Sequence, residues 1–457
     1  MAVRILQGDV FQMLPTLAAQ SVHCCVTSPP YWALRSYLKA DHPLKHMELG
    51  SEKTPQEHVE RMVAVFREVR RVLRDDGLCW VNYGETYNAY NNNRGSSTSI
   101  SGNNEEKYSD ADHGLSCPGL APLQRVGIPE RFALAMQADG WLWRDTIIWH
   151  KRSPMPASLS GTAWVRCRVK IADNVLPAVC DRNMMAHERP QTNLVGHKGD
   201  FADNGRRWSD CPGCDKCRDT GGYVLRRGSW RTTPAHEYIF LFAQKAGYFA
   251  DQEGVKEPCA SSTIEREKYT RVLDDPDEQF AVVHDHESAS GGMRNPRSVM
   301  SFKRFNLSEK HYAAFPPALA EFCVRASTSP KGVCQQCGAQ WARVIDRTDT
   351  GIKQKMADGW DTGAGAHGNI HRDGREQGEQ GKPVLANVTI GYRPTCQCNA
   401  GDPIPATVLD PFGGSGTTGL VADRLGHDAI LIELNPDYHA MAKRRITKDA
   451  GIFADVS

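Results

Sequence analysis

The sequence predicts an α/β protein built on a doubly wound, mostly parallel β-sheet. Short apolar runs alternate with amphipathic helical patterns, and a glycine-rich turn follows one of the apolar runs. The chain of 457 residues is also long enough to bury a large core. Strands that alternate with helices are typical of parallel sheets with helices packed on both faces. Small cysteine-containing insertions interrupt this pattern.

The elements are predicted in chain order. Residues 3–7 form a strand, residues 10–19 an amphipathic helix and residues 22–26 (VHCCV) a buried strand. Apolar residues recur every three or four positions over 55–73, which predicts a helix that Asp76 and Gly77 end. The later predictions are strands at 78–83, 141–150, 234–242, 407–409 and 429–434, and helices at 129–139, 315–325, 420–425 and 436–446. Because the chain ends soon after the strand at 429–434, we expect the N-terminal strand to extend the sheet there.

Composition places limits on the class of protein. With 40% hydrophobic and 24% charged residues, the chain is typical of a soluble globular enzyme. It has no run of eighteen apolar residues and no export signal, so we expect a cytoplasmic protein with no membrane partner. Fifteen cysteines without an export signal indicate metal ligands and buried thiols rather than disulfides.

The first motif of chemical interest is TSPPYW, residues 27–32, directly after the strand at 22–26. Two prolines stiffen the turn and remove two backbone donors, which leaves free carbonyls. A serine hydroxyl, a proline carbonyl and an aromatic ring in four residues suit a planar group that carries an exocyclic amine. A plain strand-to-loop turn is the alternative.

The second motif is DPFGGSGTTG, residues 410–419, between a predicted strand and a predicted helix. Gly414, Gly416 and Gly419 form the pattern G-x-G-x-x-G, and Glu433 lies near the end of the next strand. An acidic residue at that place can hold ribose hydroxyls. Alone, the glycine pattern equally fits a dinucleotide oxidoreductase.

Together the two motifs resemble those of the S-adenosylmethionine-dependent DNA amino-methyltransferases. That family combines an (Asp/Asn/Ser)-Pro-Pro-aromatic catalytic motif with an F-x-G-x-G cofactor motif, here residues 412–416. The catalytic motif comes first, which is the circularly permuted order of the β group. The resemblance spans residues 3–446 apart from the loops and cysteine-rich insertions, and it implies a Rossmann-like methyltransferase fold.

The resemblance also implies roles for individual residues. The implied catalytic residues are Ser28, Pro29, Pro30 and Tyr31. The implied cofactor contacts are Asp9, Asp410, Pro411, Phe412, Gly414, Gly416, Thr417, Glu433, His311 and Phe315, with Glu321 also near the ligand. For Asp9, capping of the following helix is the alternative to an adenine contact.

The implied reaction is methyl transfer to the exocyclic amine of a base in double-stranded DNA. The base must be flipped out of the duplex, where Tyr31 stacks on it and Ser28 and Pro29 accept from the amine. The family's cytosine-N4 enzymes mostly carry Ser at the position of Ser28, so N4 of cytosine is favoured, with N6 of adenine as the alternative. No cysteine nucleophile is needed, and Cys24 and Cys25 are expected in the core.

A basic segment separates the two motifs. Residues 151–231 contain 15 Lys and Arg against 8 Asp and Glu, a net +7 in a chain whose total is +1. The family inserts its DNA target-recognition region at this place, and Lys and Arg supply phosphate attraction. The candidates for phosphate contacts are Arg206, Arg207, Arg226, Arg227 and Arg231.

Two cysteine sets have spacings that suit structural zinc. Cys211, Cys214 and Cys217 need a fourth ligand, for which Cys167 is the first choice and Cys180 or His187 the reserves. Cys334, Cys337, Cys396 and Cys398 form C-x-x-C and C-x-C pairs that are typical of a zinc ribbon. Scattered buried thiols are the alternative for both sets.

These motifs divide the chain into five expected parts. They are residues 1–150, the catalytic half; 151–231, the basic target-recognition insertion; 232–330, a return to the core; 331–400, the zinc ribbon; and 401–457, the cofactor motif with the last strand and helix.

Competing functions explain fewer of the motifs. A dinucleotide oxidoreductase leaves TSPPYW without a role, and a non-enzymatic zinc DNA-binding protein explains only the insertions. A protein-glutamine methyltransferase places its cofactor motif first. A cognate restriction endonuclease is a candidate partner.

Overall fold

The computed structural model describes residues 1–34, 36–88, 117, 119–121, 123–154, 161–170, 208–228, 230–258, 293–302, 315–354, 382–451 and 455–457. The chain forms two compact units: Met1–Arg152 together with His236–Ser457, and Ser153–Ala235. The segment 331–400 belongs to the first unit in this division. A role in target recognition for the second unit stays a prediction.

The strands and helices are as follows. The strands are β1 (Ala2–Gln7), β2 (Val22–Thr27), β3 (Leu73–Tyr83), β4 (Leu142–His150), β5 (Ala163–Arg166), β6 (Arg168–Lys170), β7 (Trp208–Asp210), β8 (Tyr223–Arg226), β9 (His236–Ala243), β10 (Glu257–Pro258), β11 (Met293–Arg294), β12 (Val299–Met300), β13 (Trp341–Gln354), β14 (Lys382–Pro394), β15 (Thr407–Asp410), β16 (Asp428–Glu433) and β17 (Asp455–Val456). The α-helices are α1 (Val10–Met13), α2 (Pro55–Val72), α3 (Ile128–Ala138), α4 (Pro317–Ser327), α5 (Thr417–Arg424) and α6 (Pro436–Ala450).

Nine strands form the central sheet of the first unit, in the order β12-β4-β9-β3-β2-β15-β16-β1-β17. Only β9 runs antiparallel to its neighbours β3 and β4, and the other described pairs are parallel. The N-terminal β1 pairs with β16, with Val3 opposite Ala429. The predicted mostly parallel α/β sheet, completed by the N-terminal strand, is therefore confirmed.

Helices cover both faces of this sheet. Side chains of β2 alternate between two apolar clusters: Cys25 packs in the cluster with α2 and α3, and Cys24 packs in the cluster with α4 and α5. A strand buried on both faces reads as a continuous apolar run, which is why the VHCCV pattern predicted a buried strand. Both cysteines lie in the core, as expected.

Three element boundaries differ from the prediction. The helix expected over 10–19 is wrong in length: α1 ends at Met13, and a 3-10 turn, Leu14–Thr16, follows because Pro15 has no N–H to donate. Asp76 and Gly77 do not end α2. The chain enters β3 directly at Leu73, and these residues form an irregularity in β3, where a Cβ on Gly77 would lie 2.9 Å from the His23 carbonyl oxygen. The helix expected from residue 315 begins at Pro317.

The smaller sheets hold the cysteine-rich segments. In the first unit, β13 and β14 form a long antiparallel ribbon, and in the second unit β5 pairs with β8 and β6 with β7. Among the helices that the structure describes, none combines the length and apolar character needed to cross a bilayer.

Candidate active site

A cavity of about 300 Å³ in the first unit is lined by both motifs. They meet because β2 and β15 are parallel neighbours, with Cys25 opposite Leu409, and parallel strands end at the same edge of a sheet. From the catalytic motif, the lining residues are Ser28, Pro29, Pro30 and Tyr31. From the remaining predicted set, they are Asp9, Phe315, Pro411, Phe412, Gly414, Thr417 and Glu433. Residues almost 400 positions apart in the sequence thus share one cavity.

Asp410 lies behind the cavity and joins the two motifs. Its carboxylate accepts from the Thr27 hydroxyl at 2.6 Å and from the Thr418 hydroxyl at 2.7 Å, and it also accepts from the Phe412 N–H. Burial raises the pKa of Asp410 to about 6, against the lowering effect of these hydrogen bonds. Because Asp410 is buried and does not line the cavity, its position is that of a support for Thr27, which immediately precedes Ser28.

Two other acidic residues line the cavity directly. Glu433 accepts from the Gly414 N–H at 2.7 Å and from the Asn435 N–H at 2.8 Å, and burial raises its pKa to about 7. Asp9 accepts from the Phe11 N–H as the N-cap of α1, and burial raises its pKa. The capping alternative for Asp9 is therefore observed, and it is compatible with a position on the cavity wall.

The glycines of the cofactor motif have different surroundings. Gly414 has φ +50° and lines the cavity. Gly416 has φ +76°, but a Cβ there would meet helix α6, at 2.9 Å from Cβ of Ala442 and 3.0 Å from Cδ1 of Ile446. Gly416 is therefore required by helix packing rather than by close approach to a ligand.

Among the predicted contacts before and within α4, Phe315 lines the cavity and Glu321 does not. His311 falls outside the described residues. Glu321 forms an ion pair with Arg325, one turn further along α4, on the exposed surface of the helix. Phe315, by contrast, is buried in the cavity wall.

The Tyr31 ring is fixed on several sides. It stacks on Tyr83 with the ring centroids 5.4 Å apart and an interplanar angle of 17°. Gly84 leaves room for it, since a Cβ at Gly84 would overlap Cε2 of Tyr31 and lie 3.0 Å from its Cδ2. Burial and the nearby Glu237 carboxylate raise the pKa of the Tyr31 phenol well above its usual range. One face of the ring is therefore supported by protein while the residue still lines the cavity.

A polar group that sequence reasoning missed surrounds the Tyr31 hydroxyl. Glu237 on β9 accepts from Tyr31 Oη at 2.9 Å and from Asn82 Nδ2 at 2.9 Å, and it forms an ion pair with Lys151. All three newly found residues line the cavity. A single signal could have found Glu237: it is the one acidic residue in the mostly apolar strand His236–Ala243.

A second missed group lies at the Glu433 end of the cavity. Tyr37 and Tyr438 line it with their ring centroids 6.3 Å apart, and Asn435 Nδ2 donates to the Tyr37 carbonyl at 2.7 Å. Aromatic rings beside carboxylates suit a ligand with both a planar ring and hydroxyl groups.

The structure brings both predicted cysteine sets together. In the second unit the sulfur atoms of Cys167, Cys211, Cys214 and Cys217 lie within 4.8 Å of one another, with Cys167 Sγ 3.8 Å from Cys214 Sγ. Four sulfurs at about 2.3 Å from one zinc are separated by about 3.8 Å, so the arrangement fits. Cys180 and His187, the reserve ligands, fall outside the described residues, as do Arg206 and Arg207.

The other set lies in the first unit. The sulfur atoms of Cys334, Cys337, Cys396 and Cys398 also lie within 4.8 Å of one another. Backbone N–H groups of Cys337 and Gln336 lower the pKa of the Cys334 thiol to about 7, which favours the thiolate that zinc binds. Arg74 donates to the Cys337 carbonyl at 2.7 Å, so this cluster is attached to the main sheet.

Comparisons with known proteins agree with the two motifs. The family model of the N6/N4 methyltransferases, described as DNA methylase, matches residues 22–335 and 403–444. The type II methyltransferase M.SmaI of Serratia marcescens is 24% identical over 97% of this chain and 91% of its own length. M.SfiI of Streptomyces fimbriatus is 28% identical over 94% of this chain and 88% of its own length.

Among solved structures, the PvuII DNA methyltransferase, described as cytosine-N4-specific, covers 98% of this chain and 92% of its own, with 14% identity and a TM-score of 0.43. The match to the family model extends over well more than half of the sequence. The chain therefore belongs to the N6/N4 DNA methylase family and is a DNA amino-methyltransferase.

Proposed function

We propose that the protein transfers a methyl group from S-adenosylmethionine to N4 of a cytosine in double-stranded DNA, at a specific sequence. The observation that carries this proposal is the shared cavity, which places Ser28 of the catalytic turn and Gly414 of the cofactor loop on the same walls. N6 of adenine is the alternative target, since a hydroxyl can accept from either amine.

The Glu433 end of the cavity fits the donor molecule. Glu433 has carboxylate oxygens for ribose hydroxyls, Asp9 has an acceptor for an adenine amine, and the Tyr37 and Tyr438 rings offer apolar surface. Phe315 and the cofactor loop, residues 411–414, remain for the methionine portion. When bound, S-adenosylmethionine supplies an electrophilic methyl group on a sulfonium sulfur.

The catalytic turn would act on a base flipped out of the duplex. Tyr31, supported from behind by Tyr83, stacks on the base, while the Ser28 hydroxyl and the Pro29 carbonyl accept hydrogen bonds from the amine. These bonds hold the amine lone pair toward the methyl group. Catalysis then comes mainly from positioning and preorganised electrostatics, with no covalent enzyme intermediate.

Binding and product analysis test this function. Calorimetry should detect S-adenosylmethionine binding to the purified protein, and mass analysis of nucleosides from treated DNA should detect N4-methylcytosine. Ser28→Ala should reduce the methylation rate about 100-fold or more while cofactor affinity changes little. N6-methyladenine as the sole product would reverse the choice of base, and absence of any methylated nucleoside would refute the function for this protein.

The second unit is proposed to recognise DNA. Arg226 and Arg227 are exposed and Arg231 is partly buried, within the segment 151–231 of net charge +7. Such residues attract phosphates and give binding that weakens with salt.

We further propose structural zinc in both cysteine clusters. Four thiolates around one zinc leave no open position, so neither site would take part in the reaction. Zinc would order the β5–β8 region of the second unit and the base of the β13–β14 ribbon in the first.

The proposed partner is a restriction endonuclease that recognises the same DNA sequence, because the relatives are named type II methyltransferases. DNA from cells that express the protein would then resist that endonuclease. We also propose that the protein is cytoplasmic, as expected from the sequence.

A further inference from the structure

We propose that Glu237 sets the direction of the hydrogen bonds behind the catalytic turn, so that the Ser28 hydroxyl faces the target base as an acceptor. The inference rests on the proposed function, and it adds a positioning residue that belongs to neither sequence motif. Glu237 comes from β9, the one strand of the central sheet that runs against its neighbours.

The charge of Glu237 fixes the direction of the hydrogen bonds around it. A carboxylate can only accept hydrogen bonds, and Lys151 forms an ion pair with the Glu237 carboxylate. The Tyr31 O–H must therefore point at Glu237, 2.9 Å away, and the Asn82 amide must turn its NH₂ group toward the same oxygen, also at 2.9 Å. The reversed amide would place two acceptors together.

The Tyr31 hydroxyl is oriented by Glu237 in turn. Since its only hydrogen is directed at Glu237, its oxygen can only accept from the remaining neighbours. Asn82 Nδ2 donates to it at 3.0 Å, and Ser28 Oγ lies 3.4 Å away as the other donor. The latter distance is long, but hydrogen bonds at catalytic groups often tighten when substrate binds.

The Ser28 hydroxyl is consequently oriented as an acceptor toward the cavity. The Ser28 proton is directed at Tyr31, and Asn82 Nδ2 lies 3.4 Å from Ser28 Oγ as a donor to one of its lone pairs. The other lone pair is available to the cavity. An exocyclic amine, which donates, is complementary to this arrangement, whereas a carbonyl oxygen at the same place on the base is not. Glu237 thus makes the pocket select amine over carbonyl without touching the base.

The same chain of groups can take up the proton that the reaction releases. When the amine nitrogen bonds to the methyl carbon, the carbon–sulfur bond breaks with its electron pair on sulfur, and the nitrogen carries one proton too many. That proton passes to Ser28 Oγ, the Ser28 proton to Tyr31 Oη, and the Tyr31 proton to Glu237. The amine ends neutral and the carboxylate ends as a carboxylic acid.

Two variants test the proposal with the full-length protein and a duplex of its recognition sequence. Glu237→Gln keeps the size of the side chain but adds donors, and Tyr31→Phe removes the central hydroxyl. Tyr238→Phe is the matched control, because Tyr238 neighbours Glu237 on β9 but does not line the cavity. Thermal melting and S-adenosylmethionine calorimetry report whether each variant is folded.

The decisive readout is binding without cofactor. Duplexes carry either the target base or its carbonyl analogue, uracil for cytosine or hypoxanthine for adenine. We expect the preference for the amine duplex to fall about tenfold in Glu237→Gln, because Ser28 can then donate. Single-turnover methylation should fall about 100-fold in both variants, and the double variant should lose little more because the groups act as one chain.

The outcomes separate the hypotheses. If Glu237→Gln keeps both the wild-type preference and the wild-type rate, the proposal is overturned. If Tyr31→Phe alone is fully active, the chain through Tyr31 is wrong. If Glu237→Gln does not fold, Tyr31→Phe decides by the same two measurements. If the wild-type protein itself methylates no DNA, it is the proposed function that fails.

Discussion

Gly84→Ala is expected to disable methyl transfer without disturbing the cofactor end of the cavity. The added Cβ would lie 3.0 Å from Cδ2 of Tyr31 and closer still to Cε2, whereas non-bonded carbons pack at about 3.5–4.0 Å. The ring must therefore retreat by about 1 Å. It cannot do so freely, because Tyr83 stacks on it and Glu237 holds its hydroxyl.

The size of the effect follows from that displacement. A shift of about 1 Å in a positioning group can reduce a rate about 100-fold, which corresponds to about 2.7 kcal/mol in the activation free energy. Overpacking should also lower the free energy of unfolding by about 1–3 kcal/mol. S-adenosylmethionine affinity should remain within a few-fold of wild type, since Gly84 does not line the cavity.

Single-turnover methylation at saturating cofactor is the assay, with calorimetry for cofactor affinity. Gly247→Ala serves as the matched control because a Cβ there would have no neighbour within 4 Å. A Gly84→Ala protein that methylates DNA at the wild-type rate would show that the position of the Tyr31 ring does not limit the reaction.

Four further changes have defined outcomes. Burial raises the pKa of Glu433 to about 7, and the ionised form is the better acceptor for ribose hydroxyls, so cofactor affinity in calorimetry should rise between about pH 6 and pH 8. Glu433→Gln should abolish that slope, and an unchanged slope would assign it to another group. Gly416→Ala should lower the free energy of unfolding by about 1–3 kcal/mol through overpacking and by about 1–2 kcal/mol more through the positive φ, so the melting temperature should fall. A melting curve equal to wild type would contradict the contact with α6. Cys337→Ser should reduce zinc in elemental analysis from two ions to one per chain while the circular dichroism of the sheet persists, with Cys117→Ser as a control that keeps both; a wild-type protein free of metal would refute both zinc sites. Arg226→Ala should weaken DNA binding at all sequences and reduce the salt slope by about one, and a slope that stays the same would remove Arg226 from the phosphate contacts.

The central strands were predictable from local patterns because β2, β15 and β16 are buried along most of their length. Runs such as residues 22–26 and 429–434 are mostly apolar, and the polar residue in each is His23 or Glu433. The errors arose where local and tertiary signals conflict. Asp76-Gly77 is a turn by sequence, yet pairing with β2 holds it within a strand.

The candidate site was only half predictable. Ser28, Gly414 and Glu433 belong to short motifs whose spacing carries information. Glu237, Asn82 and Lys151 do not, because their meeting depends on the antiparallel insertion of β9 between β3 and β4. The local sequence around each of these residues does not indicate that it will contact the other two.

The pairing of β4 with β9 explains how the central sheet accommodates an inserted unit. His150 at the end of β4 lies directly opposite His236 at the start of β9. The second unit, Ser153–Ala235, is therefore inserted at a position where a short hairpin turn could join the two strands. The entropic cost of closing a loop grows slowly with its length. The length of the segment between β4 and β9 therefore has little effect on the stability of their pairing. The inserted unit can therefore change in length or sequence without disturbing the pairing of β4 with β9. Under the proposed role of the second unit in DNA recognition, the target sequence could change while the cavity of the first unit stays the same.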